Sequence, residues 1–176
     1  MRLFLRAVDA LSSAAAWVAT WCVLLAALVS AGNAVTRYAL DIGSNAWLEL
    51  QWYLFAVIVL FGASHTLRLN GHVRVDLLYG MLTPRGQVWL DLVCIALFLM
   101  PAAVLLTGMS WTLFAESWRI GEVSSNAGGL LRWPVKLVLP VGFALLALQG
   151  LAEMARRAAM LAGSIPLSSQ YQRPAQ

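Results

Sequence analysis

The chain has 176 residues, of which 61% are apolar and 11% are charged, and its net charge is +4 at pH 7. A water-soluble domain does not need so much apolar surface, so the composition predicts an integral membrane protein and excludes the ordinary soluble classes. The basic residues are dispersed over several loops rather than clustered on one face, which argues against nucleic-acid binding.

Four long segments without charged residues run from 10 to 36, 50 to 67, 92 to 115 and 137 to 152. A helix of about 20 apolar residues crosses the roughly 30 Å hydrocarbon core, so these segments predict four membrane-spanning helices. We place the helices at about 11–35, 47–68, 88–112 and 134–156, inside one all-α domain over 1–162. Residues 163–176 are rich in Ser, Gln and Pro and are predicted to form a disordered tail.

The first apolar segment has one alternative interpretation, a secretory signal. Arg2 and Arg6 precede it, and Val29-Ser30-Ala31 resembles a cleavage site. The apolar region of a signal peptide is normally about 7 to 15 residues, and this segment is far longer. We therefore expect an uncleaved first helix.

The distribution of Lys and Arg predicts the topology. With the N-terminus inside, the cytoplasmic segments hold eight basic residues and the outer segments hold four. Short cytoplasmic loops carry an excess of positive charge, so both termini are predicted to be cytoplasmic.

Motifs for catalysis or cofactor binding are missing from the sequence. Cys22 and Cys94 lie inside apolar segments, which indicates buried thiols. His65 and His72 belong to the same end of the second helix, so they supply neither a haem clamp between helices nor a zinc ligand set. We find no phosphate-binding loop and no nucleophile elbow. The sequence therefore predicts neither an enzyme nor a cofactor or metal site.

The membrane midplane is predicted to be free of charge, because Glu49, Asp91 and Glu153 all lie near helix ends. A coupled transporter usually places ionisable groups or broken helices at the midplane. By itself the chain thus lacks a solute or ion site, and we expect it to support another membrane protein.

Polar and aromatic residues near the helix ends are the candidate contacts to a partner or to lipid. Glu49 lies in the first turn of the second helix, where it could pair with Arg37 or with a cation of a partner. The full set of candidates is Arg37, Trp47, Glu49, Arg68, His72, Arg74, Asp76, Arg132 and Trp133. The cytoplasmic members of this set are suited to lipid phosphates or to a partner surface.

A family resemblance rests on five groups of residues. They are Asn33 and Arg37, Trp47-x-Glu49-Leu50, Gly62-Ala63, Arg68-x-Asn70-Gly71-His72-Val73-x-Val75-Asp76, and Pro134…Pro140-x-Gly142-Phe143…Leu148-Gln149. This pattern, over about residues 10–155, resembles the small membrane subunit of tripartite ATP-independent periplasmic (TRAP) transporters. That family often has a second acid after the first in W-x-E-E, where this chain has Leu50.

The resemblance implies a multi-pass subunit of a bacterial inner-membrane complex for solute uptake by secondary transport. In such a complex a large membrane subunit carries the substrate and sodium sites and moves as an elevator, and a periplasmic binding protein delivers an organic acid or a related solute. The small subunit braces the static part, with membrane lipids around it.

Three other classes of membrane protein have four or more apolar helices but fit this sequence less well. A small drug exporter would need a carboxylate inside the first helix, and Asp9 lies before it. A membrane enzyme or electron-transfer subunit would need the motifs that are missing. The remaining alternative is a membrane assembly or anchor subunit without a role in transport.

Overall fold

The computed structural model describes residues 2–41, 43–71 and 79–166. Four long helices account for the regular structure of these residues: α1 (Arg2–Ala39), α2 (Asn45–Arg68), α3 (Pro84–Arg119) and α4 (Trp133–Leu161). All four are long and apolar enough to cross a membrane. The prediction of an all-helical protein with four membrane-spanning helices is confirmed. The orientation of the termini stays a prediction.

Each helix contains the range expected from the apolar segments and continues beyond it at one end or both. α1 begins at Arg2 rather than at about residue 11, and α3 continues to Arg119 rather than to about 112. Polar residues at the level of the lipid headgroups can still form helical turns, because water and headgroups solvate their side chains. Apolar length therefore gives the membrane span and underestimates the helix. The predicted disordered tail concerns mainly residues 167–176, which lie outside the described residues.

α1 buries a narrow stripe with a spacing of three and four residues. Apart from Leu5, Val8 and the terminal Asn33, its members are small: Ser12, Ala15, Ala19, Cys22 and Ala26. This spacing keeps one seam of the helix facing its neighbours. Small side chains in the seam allow close approach, which is how helices attract one another in lipid, where the hydrophobic effect offers little.

The helices follow the neighbour order α1, α2, α4, α3. α1 packs mainly on α2, α2 packs on α4, and α3 packs on α4, while α1 touches α4 over a smaller area. Two glycines of α4 allow this packing. A Cβ atom at Gly142 would lie 2.5 Å from Cβ of Leu60 in α2, and one at Gly150 would lie 2.8 Å from Cδ2 of Leu99 in α3.

α3 changes its helical geometry in the middle. It runs as an α-helix over Pro84–Cys94, as a π-helix over Ile95–Leu99, and as an α-helix again over Met100–Arg119. Pro101 follows the π-helical turn directly; it has no N–H to donate, and its ring would clash with a carbonyl one turn earlier. A wider turn before a proline relieves that clash. Pro140, by contrast, lies inside α4 as a buried residue of a continuous α-helix.

The helix ends carry clear stop signals. After α2, Asn70 has a φ of +59° and donates to the carbonyl of Leu67, and Gly71 donates to that of Thr66. Gly121 after α3 and Gly163 after α4 make the same pair of bonds with their following residues. These are Schellman motifs, in which a residue with positive φ closes the helix. At the start of α3, the Thr83 hydroxyl accepts from the N–H of Gly86 at 3.2 Å.

Candidate functional site

Two clusters of polar side chains lie at opposite ends of the helices. We call the first the loop end, which contains residues 40–41, 43–44 and 120–132. We call the second the terminus end, which contains the start of α1, the end of α2, the start of α3 and the end of α4. The predicted topology would place the loop end outside the cell and the terminus end in the cytoplasm.

At the loop end, Glu49 holds the segment 120–132 against the start of α2. The Asn126 side chain donates to Oε1 of Glu49 at 2.7 Å, and the Leu130 backbone N–H donates to Oε2 at 2.8 Å. The Ser124 hydroxyl donates to Oε1 as well. One carboxylate thus accepts three hydrogen bonds from one loop, and charged acceptors make hydrogen bonds stronger than neutral ones.

The loop folds back on itself before it meets Glu49. The Ser124 N–H donates to the carbonyl of Leu130 at 2.9 Å, and the Arg132 N–H donates to that of Glu122 at 2.8 Å. Gly129 allows the tight return, since a Cβ atom there would lie 2.4 Å from Cβ of Ser124. The loop is therefore an ordered element.

Further contacts fix the loop to the helices around it. The Tyr53 hydroxyl of α2 donates to the carbonyl of Leu131 at 3.0 Å, and the Asn45 side chain donates to that of Ala127 at 3.3 Å. Trp118 and Trp133, which flank the loop, meet edge to face with ring centroids 4.4 Å apart. Such aromatic pairs contribute about 0.5–1.5 kcal/mol beyond the area they bury.

One ion pair closes the base of the loop. The Lys136 ammonium donates a hydrogen bond to Glu122, and this bond holds the pKa of the Glu122 carboxyl below its ordinary value. The positive charge of Arg132 acts in the same direction, while desolvation opposes both. The Glu122 carboxylate therefore stays ionised over most of the pH range.

At the terminus end, Asp9 of α1 joins two other helices. Arg156 of α4 pairs with its carboxylate, and Nε of Arg68 in α2 lies 3.6 Å from Oδ1. Arg68 also donates to the backbone carbonyl of Asp9 at 3.2 Å and to the Ser13 hydroxyl. Arg68, which the sequence made a candidate for contact with lipid phosphates or a partner, thus binds Asp9 and Ser13 of α1.

A second chain of contacts at this end runs through buried groups of α4. Glu153 and Arg157, which are 5% and 8% exposed, form an ion pair with Nη1 of Arg157 at 2.5 Å from Oε2. Arg157 then reaches Asp91 of α3 at 3.3 Å. On the other side, Gln149 donates to Glu153 at 3.1 Å and accepts from the Ser12 hydroxyl at 2.7 Å. The terminus end therefore connects all four helices through paired charges and hydrogen bonds.

The candidate residues from the sequence divide between the two ends. Arg37, Trp47, Glu49, Arg132 and Trp133 lie at the loop end, and Arg68 lies at the terminus end. His72, Arg74 and Asp76 fall in 72–78, outside the described residues. Among the described residues Glu49 has no ion pair with Arg37; its oxygens face the loop, and the nearby cation is Arg132.

Sequence reasoning missed most of the partners in these clusters. Asp9 was noted only as lying before the first helix, Gln149 only as part of the family pattern, and Arg156 and Arg157 only among the basic residues of the cytoplasmic segments. The ion pairs of Glu153 could have been predicted from the sequence. Glu153 stands three and four residues before Arg156 and Arg157, which places all three on one helix face. The contacts of Glu49 with Ser124 and Asn126 join residues over 70 positions apart and carry no local signal.

The part of the chain that the structure describes contains no group of three or more His, Cys, Asp and Glu residues arranged to hold a metal ion. Its charged clusters alternate acids with Arg or Lys instead. Such an arrangement is suited to joining helices and loops.

The fold and the two clusters define a multi-pass membrane protein whose polar groups mostly serve its own architecture. The family model described as "Tripartite ATP-independent periplasmic transporters, DctQ component" matches residues 25–160. The chain belongs to this family, the small permease subunits of TRAP transporters, as the sequence pattern predicted. The four long apolar helices agree with a multi-pass membrane protein of this family.

A curated relative supports the same assignment. The chain is 30% identical over 122 residues to the C4-dicarboxylate TRAP transporter small permease protein DctQ of Pseudomonas aeruginosa. The match covers 67% of this chain and 56% of that protein, so the chain spans little more than half of the relative's length. No solved structure gives a significant match.

Proposed function

We propose that this chain is the scaffold subunit of a sodium-coupled, binding-protein-dependent transporter for organic acids or related solutes. In this role it braces a large elevator-type subunit and carries no solute itself. The solute class rests on the family and on the name of the relative, which is described as a C4-dicarboxylate transporter component. The scaffold role rests on the positions of the polar groups.

The observation that carries the proposal is the engagement of charge at the two ends. At the terminus end, ion pairs join Asp9 to Arg68 and Glu153 to Arg157. At the loop end, the Glu49 carboxylate accepts hydrogen bonds from the loop. A sodium or carboxylate site needs groups that can replace the water of the ion, because an unsatisfied polar group in hydrocarbon costs several kcal/mol. Groups that already bind one another do not serve that purpose.

The hydroxyl groups within the spans point to the same conclusion. Thr20, Ser64 and Thr107 donate to carbonyls of their own helices at 2.9, 3.2 and 2.7 Å. Ser110 does so as well. A hydroxyl bonded back to the preceding turn is satisfied locally and leaves little for a passing solute.

The outlying position of α3 gives the chain a broad apolar surface for a partner. α3 packs on α4 among the described helices and exposes large side chains on its other faces: Leu97, Phe98, Leu105, Met109 and Trp111. Lipid or a second membrane subunit must cover these residues. A static helical wall of this kind is suited to widening the fixed part of an elevator transporter.

The candidate contacts now separate by role. Glu49, Arg68 and Arg132 contribute to the fold of this chain, whereas Arg37 and Trp47 stay candidates for contact with lipid or the large subunit. His72, Arg74 and Asp76 stay candidates for anchoring at lipid phosphates or at the large subunit.

Reconstitution tests the proposal. Liposomes that hold the purified chain alone should show no sodium-driven uptake of an organic acid. Uptake should require the large subunit together with a loaded binding protein, and omission of this chain should abolish it or prevent assembly. Sodium-driven transport by the lone chain would contradict the scaffold role, and full activity of the complex without the chain would favour an anchor subunit.

A further inference from the structure

A pocket at the loop end collects polar groups that the fold leaves without partners. It lies between the last turns of α1 and the first turn of α2 and has a volume of about 530 Å³. Its lining includes Asn33, Arg37, Asp41, Ser44 and Leu48. This volume falls in the range of small-molecule sites. Arg37 is a candidate contact from the sequence that the internal contacts of the fold do not explain.

Asn33 supplies the first indication of a ligand. Its residue is 9% exposed, and its side-chain amide makes no hydrogen bond with the described residues, although its backbone carbonyl accepts from Thr36. Because Asn33 lines the pocket, its amide donor and acceptor remain available to a bound molecule.

The charges of the pocket supply the second indication. Within the described residues, neither Arg37 nor Asp41 forms an ion pair, and the Ser44 side chain does not cap α2. Four other charged residues at this end form ion pairs, Glu122 with Lys136 and Glu116 with Arg119. The pocket therefore presents one free cation, one free anion and the first N–H groups of a 24-residue helix.

A zwitterion matches this combination better than a simple ion does. A phosphate fits Arg37 and the N-terminus of α2, where backbone N–H groups and the helix dipole favour negative charge. Asp41 would oppose a bare anion but fits an ammonium group beside the phosphate. The pocket lies where the apolar spans end, at the depth of lipid headgroups, and Leu48 adds an apolar wall.

We propose that this pocket binds the phosphoethanolamine headgroup of a bilayer lipid. Arg37 and the α2 N-terminus hold the phosphate, Asp41 holds the ammonium, and the Asn33 amide bonds a headgroup oxygen. The site would tie α1 and α2 to the surrounding bilayer independently of any role in transport.

Native mass spectrometry of the full-length, delipidated chain tests this site. Phosphatidylethanolamine and phosphatidylglycerol with identical acyl chains are titrated separately, and the chain should prefer the first. Arg37→Gln should weaken phosphatidylethanolamine binding roughly tenfold, the worth of one charge-assisted hydrogen bond. Asp41→Asn should remove the preference between the two lipids. The matched controls Arg119→Gln and Glu116→Gln change exposed charges at the same end and should alter neither affinity.

Three results would overturn the assignment. They are equal affinity of the unmodified chain for both lipids, full retention of phosphatidylethanolamine by a folded Arg37→Gln variant, and saturation by O-phosphoethanolamine at the concentrations that suffice for the lipid. The last result would indicate a site for a soluble zwitterion. Thermal unfolding of each variant verifies that the chain is folded.

Discussion

The two ends of the molecule use charge in different ways. At the terminus end, acids and arginines from all four helices pair with one another, and Glu153 and Arg157 do so in a buried setting. At the loop end, the single carboxylate Glu49 gathers neutral donors from one loop, and the neighbouring pocket leaves Arg37 and Asp41 unpaired among the described residues.

The terminus end satisfies its charges within the chain, whereas the loop end leaves some charges available to other molecules. A buried ion pair is costly to break, because removing one partner strands the other charge, so the terminus end fixes the helix packing. At the loop end several contacts fix one loop to the neighbouring helices, and the pocket beside it leaves Arg37 and Asp41 without ion pairs among the described residues. We therefore expect substitutions at the terminus end to affect folding and those at the loop end to affect recognition.

The largest expected effect concerns the side of the membrane that each end faces. Single cysteines at Ser125 and Arg85, both exposed positions, are introduced after replacement of Cys22 and Cys94 by Ala. In intact cells a membrane-impermeant thiol reagent should label Ser125→Cys and leave Arg85→Cys unlabelled, since the cationic bias places the loop end outside. Both should react after lysis. Labelling of position 85 alone in intact cells would show that the chain has the opposite orientation to the one predicted.

The next largest effect tests the terminus end. Arg157→Met removes one of the two arginines paired with buried Glu153, together with the contact to Asp91, and should lower the free energy of unfolding by about 3 kcal/mol. Arg119→Met is the matched control, because its ion pair with Glu116 is 73% and 58% exposed and should contribute less than about 1 kcal/mol. Equilibrium unfolding in detergent micelles measures both. Equal losses in the two variants would refute the contrast between the ends.

A smaller effect should follow pH at the loop end. The pKa of Glu122 is lowered in the folded chain, so its ion pair with Lys136 stabilises the loop above the ordinary glutamate pKa and is lost as the pH falls through the folded value. The protection of residues 120–132 against hydrogen exchange, taken relative to the intrinsic exchange rate at each pH, should fall at acidic pH. Lys136→Gln should move this loss of protection to higher pH, and an unchanged profile would exclude the ion pair as its cause.

The sequence predicted the four helices because apolar length is a local property. It placed Glu49 in the first turn of the second helix and Arg37 after the end of the first, whereas the structure has Glu49 beyond the first turn of α2 and Arg37 inside the last turn of α1. It could not predict that Glu49 binds Leu130 or that Asp9 binds Arg156, because those contacts depend on the neighbour order of the helices. That order is set by small residues such as Gly142, whose close approach to Leu60 has no signature in hydropathy.

The π-helical turn of α3 was only partly predictable from the sequence. Pro101 lies inside the third apolar segment, and a proline there disturbs a helix because it removes a donor. The form of the disturbance was not predictable, because a bend and a wider turn both relieve the clash. The packing of Gly150 against Leu99 and Met100 places this turn in contact with α4.

We propose that the polar groups of this chain shape its own structure or bind lipid and take no part in solute movement. The most direct measurement uses Glu49→Gln in the assembled transporter, with the amount of complex and the sodium-driven uptake per complex determined together. Glutamine keeps the side-chain shape and loses the charge that the loop donors share. We predict a lower yield of complex with unchanged uptake per assembled complex. An unchanged yield with a large loss of uptake per complex would contradict the claim and place Glu49 in the transport pathway.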